Sequence, residues 1–333
     1  MNKMIKISLV FATALTLFGA LAANAVLNMG GKTIFTGTLI EVLEPGPDLQ
    51  AIIDNITDAS VNKPYLIHLG AGVYDLGSTQ IVMKEYISLA GSGQQATTIT
   101  SAVVGVDGFA TGAVVITKDN VSLTDITIKN AGGGAYSMAV YNGSVSPRIE
   151  RITVDVTGGT LVNMGIKNVT SSPIMTNITA TASGNMDNRG VVNDSASPTM
   201  INVTASGSGG TNSNIGVLNK VSSAPTMINV IASASGGTNS RGVANNASSP
   251  TIINVTASAS GGTVDSFGMN SHSVSSPFIQ DSILEGDTYS MYINSDSPGT
   301  RIVNSKLADG VFDGAAGTQC RGNYDANLAS VGC

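Results

Sequence analysis

The chain has 333 residues, 42% of them hydrophobic and only 11% charged, with 39 glycines, no tryptophan and a net charge of −6. That balance excludes a disordered chain, which carries more charge and fewer Val, Ile and Ala, and a nucleic-acid binder, which needs a basic excess or clustered Lys and Arg. The length suffices for one large domain with its own core.

In chain order, the first expected element is a leader. Lys3 and Lys6 form a basic start, Leu9 to Ala22 is an uncharged apolar run, and Ala23-Asn24-Ala25 is a small-x-small cleavage site. The apolar run falls short of the roughly 20 residues that a bilayer span requires. Residues 1–25 therefore read as a signal peptide, and the mature chain as exported to the periplasm or beyond, with no membrane span left after cleavage.

Residues 26–74 read as an N-terminal cap. Pro47 and Asp48 mark a helix start, and Leu49, Ile52, Ile53 and Ile56 follow at helical spacing. A short helix of this kind closes the apolar end of a coil whose core and strand edges would otherwise face water. Strand-like segments separated by turn residues then run to residue 130, among them YLIHLGAGVYDL, TTITSAVVG and VSLTDITIKN.

From 147 to 298 the sequence repeats. Prolines fall at 147, 173, 198, 225, 250 and 277. The second residue after each is apolar (Ile149, Met175, Met200, Met227, Ile252, Ile279), and the fourth is asparagine at Asn177, Asn202, Asn229 and Asn254, with Arg151 and Asp281 as exceptions. Gly165, Gly190, Gly216, Gly242 and Gly268 recur in the same register, and Asn168, Asn193, Asn219 and Asn245 stand three residues past the first four of them. The pieces are too short for helices and too short to be stable alone. Stacked at about 4.8 Å as turns of one coil, they bury a continuous apolar interior. The expected fold is all-β: a parallel β-helix, a solenoid of about nine coils of roughly 25 residues over 75–310. Both asparagine columns are expected to form structural ladders, each side chain bonded to those above and below. Position seven past each proline holds Val154, Ala180, Ala205, Ala232 and Ala257, which implies a narrow, filled bore without a ligand cavity.

Residues 311–333 read as a tail closed by a disulfide between Cys320 and Cys333, worth roughly 3 kcal/mol in the chain-entropy model. The spacing is not CxxC and no histidine is near, which disfavours a redox couple or a metal pair.

Charge is sparse, so the segment SPRIERITVDVTGG stands out. Arg148, Arg151 and Asp155 are its candidates for catalysis, and Glu150 with Asp155 for a metal, because Ca²⁺ wants several oxygen ligands and β-elimination from a uronate wants a base. Asp187, Arg189 and Arg241 are expected to flank the same groove. His68 is expected to face outward from a strand, and His272 to lie in a turn. An ice-binding face would need flat threonine columns at two-residue spacing, and the threonines read as scattered through Thr-Ala-Ser tracts.

The succession DLQAIIDNI, LIHLGAGVYDL and IVMKEYISLAGSGQQATTIT resembles the entry to pectin-lyase-like right-handed β-helix proteins, pectinesterases above all. The later SPxIxNVxxxxS coils resemble the generic right-handed β-helix repeat. The resemblance covers roughly residues 45–310 and implies a right-handed coil. Of the pectinesterase Gly-x-Tyr-x-Glu motif, Gly72 and Tyr74 are present and Leu76 stands where the glutamate belongs. The catalytic segments of pectinesterases and polygalacturonases are not matched. The nearest analogue of a pectate lyase's calcium site and arginine base is the Arg148–Asp155 segment. Two readings follow: a non-catalytic rod that binds polysaccharide or a cell-surface component, and a divergent lyase or esterase acting on an acidic polysaccharide. Ca²⁺ is implied only for the lyase, and no other cofactor is expected.

Overall fold

The computed structural model describes residues 6–9, 15–17, 20–29 and 32–332, with side chains from residue 36 onward. Part of the expected leader therefore lies outside the described residues. Its described backbone forms strands Lys6–Leu9 and Leu15–Leu17 paired antiparallel with Ala20–Met29, which pairs in turn with Lys32–Val42. No helix among the described residues is long and apolar enough to cross a membrane.

Each repeat makes one turn of a right-handed parallel β-helix. The proline opens the turn, where its missing N–H costs no ladder bond. Its carbonyl accepts the first strand N–H of the next turn, as from Thr199 to Pro173 at 3.1 Å and from Thr251 to Pro225 at 3.0 Å. The strand that follows, such as Ile174–Ser183 or Thr199–Ser208, is bent at the fourth residue after proline. The corner residue is left-handed in eight successive turns: Asp125, Arg151, Asn177, Asn202, Asn229, Asn254, Asp281 and Asn304 have φ between 49° and 58°. Asparagine tolerates this conformation best, which explains its recurrence at the corner. The bend splits the strand into two planes, and a third plane is the second sheet, built from strands such as Val162–Val169 and Asp187–Asp194.

The second sheet contains ten strands stacked in chain order, from Ile81–Val82 to Val311–Asp313. At the rung spacing this is a rod about 45 Å long. The last strand lies beyond residue 310, so the stack runs one rung further than the expected span. Gln319–Arg321 also stacks on Arg301–Val303, with Cys320 opposite Ile302, and Ser330–Val331 closes the edge by pairing antiparallel with Asn323–Tyr324. The stretch expected as a separate tail is thus the final turn, because its alternation continues the core columns. Cys320 packs against the end of the core. Its expected partner Cys333 lies outside the described residues.

The bore is filled by complementary columns. Where the first plane contributes Met175, Met200 and Met227, the second contributes Ala180, Ala205 and Ala232; toward the ends Ile149 faces Val154, and Ile279 faces Leu284. The third plane supplies Val191, Val217 and Val243. The glycine column permits the close approach of the planes: a Cβ on Gly216 would stand 2.6 Å from the Gly242 carbonyl oxygen, and one on Gly242 would stand 2.6 Å from that of Gly268.

The expected cap is present as helix α1, Leu49–Asn55. The Asp48 carboxylate accepts the Gln50 and Ala51 amides at 2.9 and 3.1 Å, and Leu49, Ile53 and Ile56 bury against the first turn. Gln50 closes the sheet edge as a peptide group would. Its side-chain oxygen accepts from the Val82 amide at 2.8 Å, and its NH₂ donates to the Val82 carbonyl at 3.3 Å.

Candidate functional site

Two asparagine ladders run the length of the repeats at very different depths. The corner ladder is exposed, with Asn202 donating to Asn177 at 3.0 Å, Asn229 to Asn202 at 3.1 Å and Asn254 to Asn229 at 2.8 Å. The ladder of the third plane is fully buried. Asn142 donates to Asn168 at 2.7 Å, Asn168 to Asn193 and Asn193 to Asn219 at 2.8 Å, and Asn219 to Asn245 at 2.9 Å. A third, equally buried ladder was not anticipated: Asn163 donates to Asn188 at 3.0 Å and Asn188 to Asn214 at 2.9 Å. Its signal lay in the sequence, since each of these residues stands two before a repeat glycine.

The Arg148 segment forms an ion-pair cluster on the outside of the first sheet. Arg148 Nε and Nη2 donate to Glu150 Oε2 at 3.1 and 3.0 Å. Arg151 grips Asp125 with two parallel bonds, Nε to Oδ1 at 2.7 Å and Nη2 to Oδ2 at 2.8 Å, and also donates to Glu150. The hydrogen bonds to Asp125 raise the Arg151 pKa above its ordinary value, so this guanidinium stays charged and takes no proton. Asp125 occupies the same corner one turn earlier, and it escaped the sequence reading because it precedes the first repeat proline.

Asp155 does not join the cluster. It lies about 13 Å along the strand from Arg151, at four residues of roughly 3.3 Å each, in a column between Lys129 and Thr181. The structure therefore does not bring Glu150 and Asp155 together as a calcium site. No group of three His, Cys, Asp or Glu residues is placed to hold a metal among the described residues.

Asp187, Arg189 and Arg241 lie on the second sheet, not beside Arg148, because they belong to strands Asp187–Asp194 and Asn239–Asn246, each of which follows a glycine turn. Arg189 pairs with Asp187 at 2.8 Å and Arg241 with Asp265 at 3.3 Å. Burial lowers the pKa of both guanidinium groups. His68 points outward beside Glu41, 4.0 Å away. His272 ends a second-sheet strand, half-buried, with Nδ1 3.0 Å from the Ser273 hydroxyl; burial lowers its pKa.

The outer face of the second sheet changes along the rod. Near the N-terminal end Met138, Met164 and Val192 form a small outer apolar cluster. Beside it Lys167 donates to the Gly108 carbonyl and lies 5.1 Å from the centre of the Phe109 ring. Burial lowers the Lys167 pKa. Near the C-terminal end the face carries four rings, each in contact with two others. Phe267 and Tyr292 stack at 4.9 Å and 12°, and Tyr292 and Phe312 at 4.8 Å and 8°. Tyr289 completes the group, 6.1 Å from Phe267 and 5.8 Å from Phe312. Phe312 ends the stack and is 41% exposed. Asn270, in the column of Tyr292, is buried with its Oδ1 unpaired. These residues lie outside the acids and bases that the sequence singles out, although YSMYIN at 289–294 carries two tyrosines three residues apart.

No protein-family model and no curated protein matches the chain. Among solved structures it is similar to an A-module of an Azotobacter vinelandii mannuronan C-5 epimerase, at 17% identity over 84% of this chain and 74% of that one, with a TM-score of 0.46. It is similar also to a Geobacillus virus E2 protein, at 12% identity, 92% and 67% coverage and a TM-score of 0.42. Carrot pectin methylesterase follows at 13% identity, 85% and 80% coverage and a TM-score of 0.40. The likeness lies in the course of the backbone, and the fold itself rests on the strand pairings described above.

Proposed function

We propose that the protein is an exported rod that binds polysaccharide without turning it over. The observation that carries this reading is the ring stack of Phe267, Tyr289, Tyr292 and Phe312 on the outside of the last turns. A contiguous aromatic patch at the surface of a rod is a contact site for an apolar surface with a polar rim, and a sugar ring is such a surface. The absence of turnover is argued from the Arg148 cluster, where Arg148, Arg151, Glu150 and Asp125 are engaged with one another. A proton-transfer site needs a group free to change its charge, and this one holds each guanidinium against a carboxylate.

The test is affinity electrophoresis of the mature protein in neutral and acidic polysaccharides. Unsaturated-product absorbance, methanol release and reducing ends are recorded alongside, with and without Ca²⁺. Retardation by a polysaccharide without product is expected. Phe312→Ala and Tyr292→Ala should each weaken it roughly three- to tenfold, taking a ring contact as about 0.5–1.5 kcal/mol. Product formation that disappears in Arg148→Ala or Asp155→Ala would replace this reading with a lyase or esterase, and mobility unchanged by any polysaccharide would end it.

A further inference from the structure

The bent strands Ile174–Ser183 and Thr199–Ser208, with the paired segments Thr226–Ile228 and Ile231–Ser235, then Thr251–Ile253 and Thr256–Ser260, present an outer surface without a single charged residue. Surfaces of soluble domains ordinarily carry charge on a quarter or more of their positions. The register shows what replaces it. Two columns before the asparagine corner read Ile174, Thr199, Thr226, Thr251 and Thr176, Ile201, Ile228, Ile253; the first column after it reads Thr179, Thr204, Ile231, Thr256. Every outward position in these columns is threonine or isoleucine, although the order within a turn varies. That variation makes the threonines look scattered in the linear sequence. A second column after the corner is hydroxylic throughout, Thr181, Ser206, Ser233 and Ser258.

Three properties of this surface act together. Threonine and isoleucine are stiff at χ1, so the array loses little freedom when it is covered. The hydroxyls of Thr179, Thr204 and Thr256 have no protein partner among the described residues and are left for water. Isoleucine is exposed among them, Ile174 at 46% and Ile231 at 50%, so methyl groups and hydroxyls share a regular grid on each of the two planes that meet at the asparagine corner. The grid repeats at about 4.8 Å between rungs and about 6.7 Å between outward residues of one strand. The exposed Asn177–Asn254 ladder pins the corner between its two planes.

We infer that this charge-free face adsorbs to ice. Oxygen atoms in hexagonal ice repeat at intervals close to both spacings of the grid, so water bonded to the threonine hydroxyls can belong to the crystal, while methyl and isoleucyl groups occupy the gaps. Charged side chains would hold water off that lattice, and the face has none. It lies on the first sheet, away from the ring stack, so the inference stands apart from polysaccharide binding.

The experiment measures the fraction of mature protein carried into slowly grown ice, against a protein that does not bind ice. Wild type should be incorporated. Thr204→Lys and Ile228→Lys, each checked for an unchanged circular dichroism spectrum, should fall to the level of the non-binding protein. Thr211→Lys, in a turn outside the face, should be incorporated like wild type. Exclusion of wild type from ice overturns the inference, whether or not the protein is retained on crystalline cellulose or chitin. Incorporation unaffected by both lysine substitutions on the face overturns it as well.

Discussion

Replacing Asn193 with alanine tests whether the buried ladder holds the turns together. Its NH₂ donates to Asn219 and its oxygen accepts from Asn168, both at 2.8 Å, and the side chain is fully buried. Alanine leaves the Asn219 oxygen without that donor, and leaves the Asn168 amide with only a weak contact to the Met175 sulfur at 3.6 Å. Each orphaned buried group costs about 1–3 kcal/mol, so the loss is about 2–6 kcal/mol. The matched control is Asn202→Gly on the exposed corner ladder, where water replaces both partners and glycine accepts φ 54° freely. That change is expected to fall within about 0.5 kcal/mol of wild type. Urea unfolding followed by circular dichroism gives both values, and hydrogen exchange should locate the Asn193→Ala damage in the turns on either side, since each turn of a solenoid touches only its neighbours. If Asn193→Ala loses no more stability than Asn202→Gly, the ladder is an ornament of the fold and the reasoning fails.

Further outcomes follow from the same geometry. Gly216→Ala places a methyl group 2.6 Å from a backbone oxygen that cannot move without shifting the next turn, so the variant should unfold at clearly lower urea than wild type; an unchanged midpoint would contradict the close packing. Arg151→Asn exchanges ion pairs at a part-exposed site, worth at most about 1 kcal/mol, for the residue best suited to φ 51°, and should leave stability within about 1 kcal/mol of wild type. Burial lowers the folded pKa of His272 below the 6.5 of an unfolded histidine. Between those two values the unfolded chain binds the extra proton, so stability is lost as pH falls through 6.5 and is unaffected well above it. His272→Gln should therefore flatten part of the acid-side loss in urea midpoint, and identical slopes for the two proteins would reject the assignment. The expected disulfide between Cys320 and Cys333 predicts no thiol labelling of the purified protein without reductant; modification of both cysteines would disprove it.

The solenoid was legible in the sequence because its constraints recur: proline at the strand start, an apolar residue two further on, asparagine at the corner and glycine where the planes approach. The cap was legible for a different reason, since Asp48 before an apolar helical stripe is a local signal. The end of the rod was not, because Val311–Asp313 and Gln319–Arg321 keep the alternation but lose the proline and asparagine that marked earlier turns. The candidate sites were less legible still. Arg151 and Asp125 are twenty-six residues apart and meet only because they occupy the same corner of successive turns. The threonine and isoleucine columns are hidden because the two residues exchange places from turn to turn, and only the strand register assembles them.

The position of these features along the rod bears on how it works. Coils whose outer residues are nearly identical cannot hold one specialised reactive centre, because a group offered by one turn is offered by the next. They can hold a lattice, and the charge-free array occupies those coils. Specialised chemistry has to sit where the periodicity breaks, and the two breaks differ. At the border formed by Arg148, Glu150, Arg151 and Asp125 the charges pair with one another, which leaves no uncompensated charge beside that end of the array. On the second sheet, apart from that array, the column of Val192, Leu218 and Ala244 gives way to Asn270, Tyr292 and Phe312, and the surface carries the aromatic stack. Under the two proposals the same backbone register would serve two recognition tasks: repetition where the partner repeats, and a local departure from it where the partner presents individual rings.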